Sequence, residues 1–342
     1  MNLVIPKPFD MHLHLRDGDL LITTIAAAAR HWAKALIMPN LKPPVCSPEK
    51  LVSYRDKIRT LARHYGDFEP LMTFKITPET NPGLLEKIKK VGAIAGKVYP
   101  KGLTTHAEDG VEDFFALHPV FAEMEALGLI LCLHGEKPGN AIDGMDRERA
   151  FLRTLFYLAR TFPRLRIVME HITTEAAIEA VLQLPATVAA TITVHHLLLT
   201  HDDVGGDRMC PHHYCKPVAK YQRDRTALVE AAISGCPKFF FGSDSAPHLR
   251  ADKVRDYDCC AGIFTAPVAL PLLAQIFAEN NALDRLQLFT HDAALKFYDL
   301  SEPLSPHRPT IELINEPMTV PQEMSGIVPF MAGKELPWRV KV

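Results

Sequence analysis

The residues with the most chemical promise stand near the start of the chain, in Asp10-Met11-His12-Leu13-His14-Leu15-Arg16-Asp17. In an extended strand, residues two apart share a face, so His12 and His14 are expected to project together, with Met11, Leu13 and Leu15 on the other side. Two neutral imidazoles held by one rigid element offer two ligands to a borderline divalent ion such as zinc. Arg16 continues the same register and would set a fixed cation just beyond the ion, where an anionic group can be read by paired hydrogen bonds.

A second stretch, Gly242-Ser243-Asp244-Ser245-Ala246-Pro247-His248, adds a carboxylate. Asp244 can ligate a metal through one oxygen and act as general base through the other, although Ser-Asp-Ser is also a common turn or helix-capping sequence. His248 follows a proline that stiffens the loop and would reach a substrate instead of a metal. Of the 16 histidines, His134 and His171 stand out because an apolar run ends on each, as runs end on Asn40 and Lys97. A lysine ammonium repels cations. Buried among Ala95, Gly96 and Val98, however, its neutral amine can add carbon dioxide and become a carbamate whose two oxygens bridge a pair of ions. Four histidines, an aspartate and a lysine are too many for one tetrahedral zinc and suit two metals a few ångströms apart.

Such residues meet only if the fold brings strand ends to one rim. Short apolar runs at 35–38, 71–76, 94–99, 129–133, 166–169, 187–194 and 238–241, with the opening histidine strand, make eight strand candidates. Between them lie helical patterns at 20–32 (Asp19 as a possible N-cap), 48–65, 82–91, 113–127, 147–162, 174–184 and 223–234, with later helices at 267–280 and 284–297. This is the count of a (β/α)8 TIM-type barrel, in which chemistry gathers at the C-terminal ends of the strands. An open doubly wound sheet has the same alternation, but no Gly-x-Gly-x-x-Gly follows the first strand. The polar segment 195–220 shows no period, and connections of that length are usually functional. Residues 1–342 read as one domain, with a proline-rich extension from about 313 to 342 packed outside the barrel.

Composition narrows the partners. Lys+Arg 38 against Asp+Glu 40 leaves a formal charge of -2, which offers no field for nucleic acid or an anionic membrane surface and points to a small-molecule substrate. Seven scattered cysteines make neither a disulfide framework nor a Cys-x-x-Cys site and read as reduced thiols. No apolar run approaches membrane-spanning length, so a soluble, cytoplasmic protein is expected.

Taken together, Asp-x-His-x-His-x-Arg-Asp, Met38-Pro39-Asn40, Gly96-Lys97-Val98-Tyr99-Pro100, Leu133-His134-Gly135-Glu136, Glu170-His171-Ile172-Thr173-Thr174 and the Asp244 segment resemble the short bacterial-type dihydroorotases of the amidohydrolase superfamily. The resemblance runs from about residue 8 to the C-terminal segments. It implies a binuclear zinc centre with His12, His14 and Asp244 on one ion, His134 and His171 on the other, and carboxylated Lys97 and a hydroxide bridging them. Arg16, Asn40 and His248 would clamp the substrate carboxylate. Backbone groups of Lys216 and Ala261, with Gly262 nearby, would meet the ring amides, and Thr104 and Thr105 match a loop that closes over the substrate. The reaction implied is reversible zinc-dependent hydrolysis of dihydroorotate to N-carbamoyl-L-aspartate in pyrimidine biosynthesis, by analogy in a homodimer. The alternatives are another cyclic amidohydrolase, such as a hydantoinase, and a non-catalytic subunit of a larger assembly. Two departures from the family are a longer 205–213 segment and a lysine at 216 where some members carry an apolar residue.

Overall fold

A computed structural model of the chain describes residues 2–104, 107–301 and 309–341. A short strand, β1 (Asn2–Pro6), precedes eight parallel ones: β2 (Phe9–Leu13), β3 (Lys34–Ile37), β4 (Glu69–Ile76), β5 (Ala93–Val98), β6 (Ile130–His134), β7 (Ile167–Glu170), β8 (Val188–Ile192) and β9 (Phe239–Phe241). Each pairs with the next, in the order β2 to β9. Just past β9 the ring closes on β2: the Asp244 amide donates to the His12 carbonyl at 2.8 Å, and the His14 amide donates to the Ser245 carbonyl at 3.1 Å. Closure is what distinguishes a (β/α)8 barrel from an open sheet with the same alternation of strands and helices.

Helices sheathe the ring. Three of them, Pro48–Ala62, Pro82–Lys90 and His118–Leu127, carry proline in the first turn, where its missing N–H costs nothing. Outward strand residues such as Ile37, Phe74, Leu131, Ile167 and Phe241 pack in the apolar layer beneath the helices. Inward ones, Leu36, Ala95, Cys132, Val168, Ala189 and Phe240, form a floor sealed by Ala293, Ala294 and Tyr298 of the last helix. One step further along the strands the inward positions become polar and remain buried: Thr73, Lys97, His134, Glu170 and Thr191. The barrel is therefore plugged with hydrocarbon at one end and lined with buried polar side chains at the other.

The structure corrects several local expectations. Met11 does not join Leu13 and Leu15; it packs in the floor cluster, while those two lie in the outer layer. The pairing of β2 with β3 slips between Asp10 and Leu13, and a bulge of this kind re-aims side chains by placing two residues against one. The helix expected from 113 begins at His118, with Pro119 in its first turn, and upstream of it the Phe115 amide bonds instead to the Asp113 carboxylate at 2.8 Å. Asp19 is the first residue of its helix, with Gly18 at the cap position. The segment 195–220 holds short helices, Val194–Leu198 and Asp202–Gly205, each too brief to show a period.

The C-terminal part forms its own small sheets: β10 (Thr310–Ile314) runs antiparallel to β1, β11 (Met318–Thr319) pairs with β12 (Glu335–Leu336), and β13 (Arg339–Val340) completes the first sheet. Among the described residues no helix is long and apolar enough to cross a membrane.

Candidate metal centre and substrate pocket

The seam that closes the ring also builds the first ligand cluster. His12 Nε2 and His14 Nε2 lie 3.4 and 3.2 Å from Asp244 Oδ1, and all three side chains are buried. Two devices hold them. Asp10 Oδ1 accepts from the amides of His12 (3.1 Å) and Ser243 (2.8 Å), stitching β2 to the end of β9. Gly242 admits close approach, since a Cβ there would sit 2.9 Å from the Cβ of His12 and 2.9 Å from Thr191 Cγ2. Asp244 adopts a φ of 41°, His171 of 43° and Arg16 of 61°. Non-glycine residues rarely occupy this left-handed region, and where they do the surrounding structure enforces it, often at functional sites.

His134 ends β6 and His171 follows β7, and their rings approach to 4.7 Å between centroids; His171 also lies 4.9 Å from His12. The His171 amide donates to Thr191 Oγ1 at 2.6 Å, and the following Thr173 and Thr174 are tied to the buried Glu148 carboxylate. Lys97 projects inward from β5 and is wholly buried.

Burial dominates the electrostatics. It pushes His12, His14, His134 and His171 below the usual histidine range, and the nearby Lys97 charge deepens the effect at each. Neutral imidazole is the ligating form. Burial likewise lowers Lys97, opposed by Glu170 and Asp244, and raises Asp244, opposed by His12 and Lys97.

These residues fit a pair of metal ions on the chemistry of their donor atoms. Glu170 Oε2 lies 2.9 Å from His12 Nδ1 and accepts a hydrogen bond from its N–H, so the Nε2 lone pair of His12 faces a carboxylate oxygen 3.4 Å away; two lone pairs so placed call for a cation. His12, His14 and Asp244 each offer a ligand atom within 4.8 Å of the others. Lys97 Nζ and His171 Nδ1 are buried with no hydrogen-bond partner among the described residues. An ammonium so placed is costly, whereas a neutral amine or a carbamate on a metal is not.

Beside these side chains lies a small cavity of ≈ 40 Å³. Arg16, Asn40, Thr104, Lys216, Ala261 and Gly262 all line it. Arg16 is held by Nε donating to the Pro247 carbonyl (3.0 Å) and Nη2 lying 3.0 Å from His248 Nε2, which is also 3.1 Å from the Ala261 carbonyl. Burial and the Arg16 charge keep His248 neutral, far below the usual range. Thr105 lies outside the described residues.

Four residues of the site were missed in the sequence: Glu170, Glu136, Tyr99 and Asp10. Glu136 Oε2 lies 2.7 Å from His134 Nε2, and Tyr99 lines the cavity. Glu136 stands two residues after a histidine and Glu170 one before, a faint signal. The partner of Glu170 is 158 positions away.

No protein-family model matches the chain. It is similar to a dihydroorotase of Teredinibacter turnerae, 44% identical over 346 aligned positions that cover 99% of each chain. Among solved structures it resembles a dihydroorotase of Saccharomyces cerevisiae in complex with 5-fluoroorotic acid (TM-score 0.93, 36% identity, 99% of this chain and 98% of that one). It also resembles the dihydroorotase of Campylobacter jejuni (TM-score 0.91, 39% identity, 100% and 98%).

Proposed function

Because the chain belongs to the dihydroorotase family, we propose that it hydrolyses dihydroorotate reversibly to N-carbamoyl-L-aspartate at a binuclear zinc centre. His12, His14 and Asp244 would hold one ion, His134 and His171 the other, and carboxylated Lys97 would bridge them. Bound there, the ions supply Lewis-acid polarisation of an amide carbonyl and acidify water near neutral pH.

The chain's own residues do the rest. Arg16, kept in place by Pro247 and His248, grips the substrate carboxylate together with Asn40. Backbone groups of Lys216 and Ala261 orient the ring amides, and Thr104 covers the open side. Asp244, placed at the ring-closing seam, accepts a proton from the attacking water and delivers it to the ring nitrogen as the amide C–N bond breaks and the new C–O bond forms. Its burial favours proton uptake. In the cyclising direction the proton retraces the same path.

The observation that carries this reading is the meeting of His12 and His14 with Asp244 beside a fixed Arg16 and a buried Lys97 amine that has no hydrogen-bond partner among the described residues. That the yeast relative was solved with an orotate analogue supports the substrate class. The test is turnover of dihydroorotate, with and without a chelator, read beside zinc stoichiometry. Arg16→Ala should lower kcat/KM by about 10³-fold, since a desolvated carboxylate would lose its charged partner, while zinc content stays at the wild-type value. Unchanged turnover of dihydroorotate by that variant, or a wild type that opens hydantoins and ignores dihydroorotate, would sink the substrate assignment.

A further inference from the structure

Three potential ligands outside the pocket take no part in this chemistry. His195 and His196 lie in the short helix after β8, and Cys215 arrives from the far end of the 195–220 segment. All three are buried, and one ligand atom from each lies within 4.8 Å of the others. His195 is completely buried, and neither of its ring nitrogens has a hydrogen-bond partner among the described residues. Leaving such groups dry costs about 1–3 kcal/mol each, so a native core rarely does it without a reason.

Its neighbours are unevenly satisfied. His196 Nδ1 lies 2.9 Å from Thr193 Oγ1, while its Nε2 is 3.0 Å from the Pro217 carbonyl and 3.5 Å from Cys215 Sγ. Cys215 Sγ is itself 3.3 Å from that same carbonyl. An imidazole and a thiol thus compete for one oxygen, beside a second imidazole that has none. A cation among them would answer all four groups, and a set of two imidazoles and a thiolate suits zinc in particular.

We propose that His195, His196 and Cys215, with the Pro217 carbonyl as fourth donor, form a separate zinc site that fastens the 195–220 segment to the end of β8. Loading releases the thiol proton to solvent, and His196 carries its proton on Nδ1 toward Thr193, which leaves Nε2 to bind. The site has a structural consequence for the pocket. Lys216, which lines it, is the residue next to Cys215.

The proposed catalytic centre contains no cysteine, so a thiolate ligand is a private label for this one. The full chain, stripped by a chelator and reloaded with cobalt(II), should show a near-ultraviolet thiolate-to-cobalt charge-transfer band. Cys215→Ser should abolish the band and lower total bound metal by about one ion per chain. His195→Gln should weaken uptake at the thiolate site by at least the roughly tenfold that losing even an outer partner costs, and it provides a second route should the serine variant not fold. Visible cobalt absorption without the thiolate band overturns this inference and leaves the binuclear centre standing. A band that survives Cys215→Ser overturns it as well, since another cysteine would be its source. A thiolate band with only one cobalt bound per chain supports the inference and counts against the binuclear centre. No uptake at all overturns both.

Discussion

A histidine binds a metal only when a lone pair is free and aimed, and here carboxylates set both conditions. Glu170 accepts a hydrogen bond from Nδ1–H of His12, presenting Nε2 to the seam; Glu136 accepts from Nε2–H of His134, so that Nδ1 would be the nitrogen to face an ion. Opposite tautomers on two rings are thus selected by two acids, each buried and each pulled below the usual glutamate range by its histidine against the upward push of burial. Outer partners of this kind raise ligand basicity and fix ring orientation. Glu170→Gln keeps the shape and an acceptor oxygen but removes the charge. It should weaken metal binding by about 10–100-fold in chelator competition, with the fold intact by circular dichroism. Affinity equal to wild type would reduce Glu170 to a packing residue.

At the scale of elements, the barrel seam concentrates risk, because β9 and β2 meet through few hydrogen bonds and those flank the ligands. Gly242 lies where they press together. Gly242→Ala drives a methyl into His12 and Thr191, and overpacking of this sort costs about 1–3 kcal/mol. We expect a lower urea midpoint and, because His12 must move, reduced zinc retention; a variant that keeps both would show that the seam is more compliant than its spacing suggests. A second junction lies at the end of the helix Asp19–His31, where His31 Nδ1 is 3.2 Å from the Ala266 carbonyl. Burial lowers this histidine to about 4. Its folded value is below the unfolded one of about 6.5, so its contribution to stability is fully present above pH 6.5 and fades as pH falls toward 4. His31→Gln retains a donor without the titration. Between pH 7.5 and 4.5 the wild type should lose about 2 kcal/mol more than the variant in denaturant unfolding, losses at other histidines being common to both. Parallel pH profiles would remove His31 from the account.

For the molecule as a whole, the barrel was legible because apolar runs of strand length recur between helical patterns, and the cluster of buried polar side chains was legible because polar residues fall where those runs end. What stayed hidden depends on pairings between distant segments. The bulge that sends Met11 to the floor arises from how β2 pairs with its neighbour, and the Glu170–His12 bond joins strands on different parts of the ring. Alternation describes a strand in isolation and is blind to both. The same distribution yields a global prediction. The proposed ligands come from β2, β5, β6, β7 and the end of β9, so bound ions would tie strands all round the ring, including across its seam. An ion that binds only the folded chain stabilises it by RT ln(1 + [L]/Kd), about 2.7 kcal/mol per site at a free concentration a hundred times Kd. Stripping the metal should therefore lower Tm by several degrees, and zinc, added back, should restore it. His134→Ala should narrow the gap between loaded and stripped protein, having already forfeited a ligand. If thermal scans coincide while metal analysis shows the ions gone, the strands hold their ring without them, and the centre serves chemistry alone.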